Sequence, residues 1–403
     1  MTEAYIVAAA RTAGGRKGGR LSGWHPADLA AQVLNALLDR AQAPADAIED
    51  VIMGCVGQVG EQAANIARNA VLASRLPESV PGTSVDRQCG SSQQAIHFAA
   101  QAVMSGAMDI VIAAGVESMT RVPMGLSIAL PKKSGFGTYM SPAIVARYPN
   151  VEFSQFTGAE MMARKYGISK DELDAYALRS HQRAIAATKE GLFAEEIVPV
   201  RVRRAIAQAD QTANTAPVEE ADELHTQDEG IRFDVSLEGI RGVKLLAEDG
   251  RLTAATSSQI CDGAAGVLIA NERGLKRLGV APLARIHHMT VIGHDPVIML
   301  EAPLPATQIA LKKAGMKIED IDLFEVNEAF ASVPLAWLQY TGADLERLNV
   351  HGGAIALGHP LGASGAKLMT TLVHALKNRG KRYGLQTMCE GGGLANVTIV
   401  ERL

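Results

Sequence analysis

A strand, a tight turn, a helix and a second strand follow one another directly in the first third of the chain. Residues 83–85 are extended in character, Cys89-Gly90 forms the turn, and residues 91–105 have the composition of a helix that ends at Gly106. Residues 109–114 then form an apolar segment suited to a buried strand. This order is typical of α/β folds and limits the chain to a layered sheet-and-helix architecture.

A related succession occurs near the C-terminal end of the chain. A predicted helix over 363–379 ends at Gly380, and a predicted strand over 384–388 leads into Cys389. The two segments share this order of elements but no strict sequence repeat. The chain is therefore predicted to contain two similar α/β halves.

The segment from 121 to 250 differs in character from both halves. Two helices are predicted, over 157–166 and 169–190, followed by a polar stretch at 201–230. Because a plain linker would not carry two such helices, an inserted domain over a catalytic core is favoured over a linker. The predicted organisation is a first half at 1–120 completed by 251–274, an insertion at 121–250, and a second half at 275–403.

Composition narrows the functional classes. The chain has 403 residues, 47% of them hydrophobic, 20% charged, and a net charge of −4. These values indicate a globular protein of more than one domain that binds neither nucleic acid nor a membrane. With four cysteines and no leader-like start, a cytoplasmic location without disulfides is expected. Cys55 and Cys261 lie in apolar or small-residue runs typical of packing.

Cys89 is the first candidate for chemistry. At the start of a helix, free backbone N–H groups and the helix dipole would favour its thiolate. A lone cysteine is more often a small buried hydrophobe. Here the glycine neighbour and the strand–turn–helix setting favour a nucleophile.

Three further polar residues lie in turns. His359, between Gly358 and a proline, is the natural base, and no histidine has metal-ligand spacing, so no metal is predicted. Cys389, which precedes three glycines, could move a proton, or could simply end a strand. Asn327 follows a predicted strand and by itself would be read as a helix cap.

Together these motifs strongly resemble the thiolase family. The resemblance is carried, in order, by Arg87-Gln88-Cys89-Gly90-Ser91, Asn327-Glu328-Ala329-Phe330, Gly358-His359-Pro360 and Cys389-Glu390-Gly391-Gly392-Gly393. It extends from residues 9–12 to the C-terminus. It implies a five-layered α/β/α/β/α core with an inserted loop domain, in a homodimer or homotetramer.

The resemblance also implies catalytic roles. His359 would take the proton of Cys89, which would attack a 3-ketoacyl-CoA, and Cys389 would protonate the departing acetyl-CoA enolate. His359 and a water on Asn327 would form one oxyanion hole, and the backbone N–H groups of Cys89 and Gly391 the other.

Coenzyme A would be a co-substrate, with no cofactor bound permanently. By position, Ser258 would lie near its pantetheine, and Arg232 near its nucleotide end.

The sequence differs from the short-chain members of the family at three places that bear on substrate size. Residues 154–156 read Ser-Gln-Phe in place of a His-Met-Gly stretch, and residues 299–303 depart from a Met-Gly-x-Gly-Pro segment. The histidine loop carries His351 in place of an asparagine. These changes resemble degradative thiolases that accept larger acyl groups.

Alternatives from other classes are weaker. A ketoacyl synthase shares the fold type but lacks the second cysteine, and a non-catalytic CoA-binding scaffold would be expected to lose a catalytic residue. A dinucleotide-dependent dehydrogenase needs a third glycine that the segment at 57–60 lacks.

Overall fold

The computed structural model describes residues 2–206 and 218–403, so part of the predicted polar stretch at 201–230 lies outside the described residues. The first half contains β1 (Tyr5–Thr12), β2 (Gly15–Arg16), α1 (Pro26–Ala41), β3 (Asp50–Gly54), α2 (Ile66–Ala73), β4 (Gly82–Val85), α3 (Ser91–Ser105) and β5 (Ile110–Ser118). The next segment contains α4 (Leu126–Lys133), α5 (Pro142–Arg147), α6 (Gln155–Lys165), α7 (Lys170–Lys189), β6 (Ile197–Val198), β7 (Val200–Ala205), β8 (Val218–His225) and α8 (Leu237–Arg241).

The remaining elements complete the first half and build the second. They are β9 (Cys261–Ala270), α9 (Glu272–Leu278), β10 (Ala284–Gly293), α10 (Pro303–Ala314), β11 (Leu323–Val326), α11 (Ser332–Thr341), α12 (Ala354–Leu357), α13 (Ser364–Asn378), β12 (Tyr383–Glu390) and β13 (Leu394–Arg402). The boundary predicted at 274–275 falls within α9.

The two halves have the same strand order and the same strand directions. In the first half β4, β3 and β5 are parallel, and β9 and β1 continue the sheet antiparallel. In the second half β11 and β12 are parallel, and β13 and β10 continue antiparallel. A parallel bridge from Phe324 to Leu348 takes the place of β4. The predicted duplication of an α/β half is therefore confirmed.

Helices α3 and α13 form a layer between the two half-sheets. They contact each other, α3 contacts β3 and β5, and α13 contacts β11 and β12. Helices α1 and α2 cover the outer face of the first half, and α10 and α11 that of the second. The predicted five-layered core is confirmed.

Helix α13 shows why the central layer is stable. Every residue from Ser364 to Leu376 is buried, which is expected of a helix packed on all sides rather than on one stripe. The two half-sheets are joined at one short point, where Tyr5 and Ile6 pair with Arg285 and Ala284. The packing of the middle helices, rather than this pairing, holds the halves together.

Local sequence accounts for the ends of α3. The helix runs from Ser91 to Ser105 as predicted, and Gly106 ends it at φ 78°, a conformation that costs glycine little. Strand β5 continues to Ser118, beyond the predicted 109–114. All nine of its residues are buried, so the alternation that would mark a strand's length is absent.

The segment between β5 and β9 packs mainly on the second half. Helix α6 contacts α11, α7 contacts α12, and Met162 and Tyr176 join the outer core of that half. Strand β6 instead pairs with β1 in the main sheet. Among the helices of the described residues, none is long and apolar enough to span a bilayer.

Candidate active site

Glycines let the first turns of α3 and α13 approach each other closely. A β-carbon on Gly365 would lie 2.2 Å from the backbone nitrogen of Gln93, and one on Gly54 would lie 2.3 Å from that of Ser92. No side chain fits at these positions. The turn before α3 and the loop before α13 are therefore held side by side at the boundary between the halves.

Cys89 lies on a strained turn at the N-terminus of α3. Gln88, just before it, has φ 49°, a left-handed conformation that is rare outside glycine. The Asp86 carboxylate accepts the Gln88 N–H at 2.7 Å and supports this turn. The Cys89 side chain is buried against Leu368 and Met388.

The expectation that the helix end would favour a Cys89 thiolate is not met in the free protein. Burial, followed by the Glu390 carboxyl, raises the pKa of the Cys89 thiol to about 12. The backbone N–H groups of Cys89 and Gly391 act in the opposite direction. Desolvation of a buried charge outweighs these donors, so the thiol needs a base when it reacts.

His359 is a buried, neutral imidazole whose orientation is defined. Burial, followed by the Lys367 ammonium, lowers its pKa to about 3. Ser364 Oγ lies 2.5 Å from His359 Nδ1 and donates its own proton to the Pro360 carbonyl oxygen at 2.9 Å. Because that hydroxyl has only one proton, we assign the Nδ1–H tautomer. Nε2 is then free to accept a proton.

Asn327 follows β11 and faces His359. Its Nδ2 lies 3.4 Å from His359 Nε2, and within the described residues its buried Oδ1 has no hydrogen-bond partner. The N-cap of α11 is Ala331, so the cap interpretation of Asn327 is wrong.

Cys389 lies one residue before the end of β12, close to Cys89. Burial raises the pKa of its thiol well above the usual value, and Cys89 and Glu390 raise it further. Gly392 and Gly393 have positive φ angles of 84° and 75° in the turn that joins β12 to β13. This turn aims the Gly391 N–H at the Cys89 thiol. The structure thus brings Cys89, Cys389 and Gly391 together and pairs His359 with Asn327. Leu368 of α13, the helix that follows the His359 loop, packs against Cys89.

Two residues that sequence analysis missed hold the histidine loop. Ser364 fixes the imidazole, and Lys367 donates to the carbonyl oxygens of Leu357 and Gly358 at 2.5 and 3.4 Å. Both lie in the first turn of α13, and their proximity to His359 in the sequence was a usable signal. The segment before His359 also contains α12, a single helical turn.

The ion pairs that Asp228 makes with Lys367 and Arg11 could not be predicted from neighbouring residues in the sequence. Asp228 lies 3.5 Å from Lys367 and binds Arg11 at 2.8 Å, with all three side chains buried. Burial opposes the charged form, but Arg11 and Lys367 together lower the pKa of Asp228 to about 2. Residues 217 positions apart in the chain are joined here by packing alone.

Glu328, next to Asn327, links α7 to the loop that leads to His359. It accepts hydrogen bonds from Tyr176 Oη at 3.0 Å, Ser180 Oγ at 2.7 Å, Asn349 Nδ2 at 3.1 Å and the Ile355 N–H at 3.0 Å. One carboxylate therefore satisfies four buried donors from three segments.

Replacing Glu328 by alanine is expected to lower the free energy of unfolding by about 3 kcal/mol or more, because each unpaired buried donor costs roughly 1–3 kcal/mol. Urea unfolding followed by circular dichroism measures this. The matched control is Glu346→Ala, which removes an exposed carboxylate that pairs with Arg179 and Arg183 of the same helix. Equal effects of the two changes would contradict the assigned role of Glu328.

A cavity of about 370 Å³ opens beside the site, between α7, α8 and the segment before β9. Among its lining residues are His181, Arg232, Ser236 and Gln259. Ser258 is half-buried next to this lining, and its N–H donates to Ala329 O at 2.9 Å. No group of three or more His, Cys, Asp or Glu side chains in the described ranges is arranged to hold a metal ion.

Family models agree with this arrangement. Residues 4–273 match the thiolase N-terminal domain, and residues 280–402 match the thiolase C-terminal domain. The chain belongs to the thiolase family. It is therefore an acyltransferase enzyme, and the ketoacyl synthase and scaffold alternatives are not favoured.

Relatives of this thiolase match it from end to end. It is 50% identical to the steroid 3-ketoacyl-CoA thiolase FadA6 of Mycobacterium tuberculosis, with 100% of this chain and 95% of that protein covered. It is 40% identical to a 3-ketoacyl-CoA thiolase of Bacillus subtilis, with both chains covered completely. The crystal structure of the Bacillus anthracis acetyl-CoA acetyltransferase superposes with a TM-score of 0.88 at 34% identity, covering 100% of this chain and 99% of that one.

Proposed function

We propose that this thiolase cleaves 3-ketoacyl-CoA thioesters larger than acetoacetyl-CoA into acetyl-CoA and a shortened acyl-CoA, through an acyl-Cys89 intermediate. The observation that carries the proposal is a pair of buried, neighbouring thiols at the start of α3 and the end of β12, together with a neutral imidazole in the loop before α13, the helix that packs on α3. The Cys89 thiol lies close enough to Cys389 to raise the pKa of Cys389, and His359 presents an unprotonated Nε2. A nucleophile and a separate proton donor are what carbon–carbon cleavage of this substrate requires.

The electrostatics indicate how the nucleophile is activated. With a raised thiol pKa and a lowered imidazole pKa, a Cys89–His359 ion pair is not formed in advance. The proton therefore moves to His359 Nε2 as sulfur attacks the keto carbon. The developing oxyanion is positioned to accept from His359 and from a water on Asn327.

Bond cleavage then releases an acetyl-CoA enolate, which Cys389 protonates, and coenzyme A attacks the thioester to regenerate Cys89. In that second step the oxyanion can accept from the N–H groups of Cys89 and Gly391, which already point at the sulfur. Run in reverse, the same groups perform a condensation, with Cys389 as the base.

The cavity beside α7 and α8 is the proposed coenzyme A site. Arg232 is exposed at this cavity and can meet an anionic group. Gln259, deeper in its lining, accepts the His359 backbone N–H at 3.0 Å, so the cavity ends beside the reacting centre. Ser258 precedes Gln259, and its N–H donates to Ala329 O in the Asn327 loop, which is a suitable position for pantetheine.

Two of the three sequence departures lie near each other and near the Asn327 motif, where they can shape the acyl site. Phe156 stands in α6 with its ring 5.6 Å from that of Phe330, at the end of the Asn327 motif. Gly158 packs against Ile298 beside the second altered segment. His351 instead packs on Phe193, away from this contact, so it supports no substrate preference. The steroid substrate in the name of the 50% identical relative is consistent with a large acyl group.

Intact-protein mass spectrometry tests the proposal. The protein is mixed, without free coenzyme A, with 3-ketoacyl-CoAs of increasing size, including one with a fused-ring acyl group. We expect a mass increase equal to the acyl group that remains after acetyl-CoA leaves, located at Cys89 by peptide mapping and lost in Cys89→Ala.

Each alternative result has a definite meaning. Faster acylation and turnover with acetoacetyl-CoA than with every larger substrate would overturn the assigned size preference. An adduct at another residue that persists in Cys89→Ala would overturn the proposed nucleophile.

A further inference from the structure

Glu390 is a buried carboxyl beside the nucleophile that the reaction above does not use. It ends β12 directly after Cys389, and its side chain is fully buried. Within the described residues neither of its carboxyl oxygens has a hydrogen-bond partner. Such an unsatisfied group is costly, and its presence next to a reacting centre calls for a functional explanation.

The Glu390 carboxyl lies directly against the Cys89 turn. A β-carbon on Gly90 would be 1.9 Å from Glu390 Oε1, so the carboxyl occupies space that exists only because residue 90 is glycine. Gly90 follows Cys89 and is the N-cap of α3. After burial itself, Glu390 is the largest influence that raises the pKa of the Cys89 thiol.

Other charged and titratable groups face Glu390 from the Cys89 turn and from β12. Arg87, on the same turn, favours its charged form, and the two thiols of Cys89 and Cys389 face it. The backbone N–H of Asn396 on β13 also favours the charged form without meeting hydrogen-bond geometry. Burial outweighs these influences and raises the pKa of Glu390 to about 8.

A neutral carboxyl and a carboxylate have opposite consequences for Cys89. A carboxylate in a poorly solvated site repels a second negative charge on the adjacent sulfur, whereas a carboxylic acid does not. Glu390 is protonated at neutral pH and loses its proton as the pH rises through about 8. Ionisation of Cys89 therefore becomes harder over the pH range in which an isolated thiol ionises more easily.

We propose that Glu390 is a positioning residue that acts through Cys89: its neutral acid form permits the thiolate, and its ionised form suppresses it. The inference rests on the proposed role of Cys89 as nucleophile. It concerns the charge state next to the sulfur and requires no contact between Glu390 and the substrate.

The test measures the rate at which iodoacetamide alkylates Cys89 between pH 6 and 10, with the site identified by peptide mass. In the wild-type protein we expect the rate to rise with pH and then to lag above about pH 8. In Glu390→Gln the lag should disappear. At pH 9.5 the variant should react about 10-fold faster than the wild type, the effect of roughly one pKa unit, and at pH 6.5 the two rates should agree.

Asp262→Asn is the matched control, because Asp262 is also a buried carboxyl that follows a cysteine and whose pKa burial raises to about 6. It should leave the Cys89 alkylation profile unchanged. Superimposed profiles for the wild type and Glu390→Gln would overturn the proposal. Should Glu390→Gln fail to fold, a wild-type profile that fits one ionisation would overturn it as well.

The same experiment separates this inference from the proposed function. Alkylation of Cys89 must abolish thiolysis if Cys89 is the nucleophile. Thiolysis that survives complete alkylation would overturn the proposed function, while the pH profile would still report on the coupling between Glu390 and Cys89.

Discussion

Replacement of Cys89 by serine is expected to lower thiolysis of a 3-ketoacyl-CoA by about 10⁴-fold or more, the scale seen when a covalent nucleophile is removed. The serine hydroxyl fits the same turn and keeps the N–H groups of Cys89 and Gly391 in place. It is a far weaker nucleophile than the thiol, and because a hydroxyl is a much weaker acid than a thiol, transfer of its proton to His359 during the attack is less favourable. The rate of substrate loss at saturating coenzyme A measures the effect.

The control for this change is Cys55→Ala, which removes another buried thiol. The Cys55 thiol lies 3.9 Å from Glu117 and packs in the core of the first half, so its loss should change the rate by no more than a few-fold. Unchanged circular dichroism spectra would show that both variants fold. A Cys89→Ser protein with a few per cent of wild-type activity, or a Cys55→Ala protein as inactive as Cys89→Ser, would contradict the assignment.

Replacement of His359 by alanine is the second large change, and a loss of about 10³- to 10⁴-fold in kcat is expected. The imidazole is assigned two tasks, and base catalysis and one oxyanion donor each contribute about 10²-fold or more. Ser364→Ala keeps the ring but removes the acceptor of its Nδ1–H, so it should cost less than His359→Ala. His374, buried further along α13 with Nδ1 against Thr370 O, provides a control as His374→Gln.

The pH profile supplies an independent check on His359. Because burial and Lys367 lower its pKa to about 3, the imidazole stays neutral from about pH 5 upward. Protonation of His359 should therefore cause no fall in kcat/KM as the pH is lowered through the ordinary histidine pKa of about 6.5. An acid limb at that pH in the wild type that disappears in His359→Ala would contradict the assigned state.

Much of the fold was predictable because its signals are local. The ends of α3 follow from Ser91 and Gly106, since helix termini depend on neighbouring residues. The motifs around Cys89, His359 and Cys389 led to the thiolase family, which the comparisons confirm. Their catalytic roles stay predictions until the variants are measured.

Other features could not be predicted because they depend on contacts between segments that are far apart in the sequence. Asn327 looks like a helix cap in the sequence, and only the position of α11 shows that its side chain faces His359. The predicted lowering of the Cys89 pKa was wrong in direction. The helix terminus that favours the thiolate can be read from nearby residues, whereas the burial that disfavours it arises only when the two halves pack together. The sequence shows that Glu390 follows Cys389, but it does not show that the Glu390 carboxyl is buried against the Cys89 turn.

The sequence alone therefore determined the main elements of the two halves, the duplicated α/β plan and the identity of the two thiols and the imidazole. Each of these depends on short-range spacing and backbone preference. The tertiary structure decided the tautomer of His359, the protonation of Cys89 and Glu390, and the ion pairs that hold the histidine loop. These properties depend on distance and solvent exclusion between residues hundreds of positions apart, which are set only when α3 and α13 pack together between the two half-sheets.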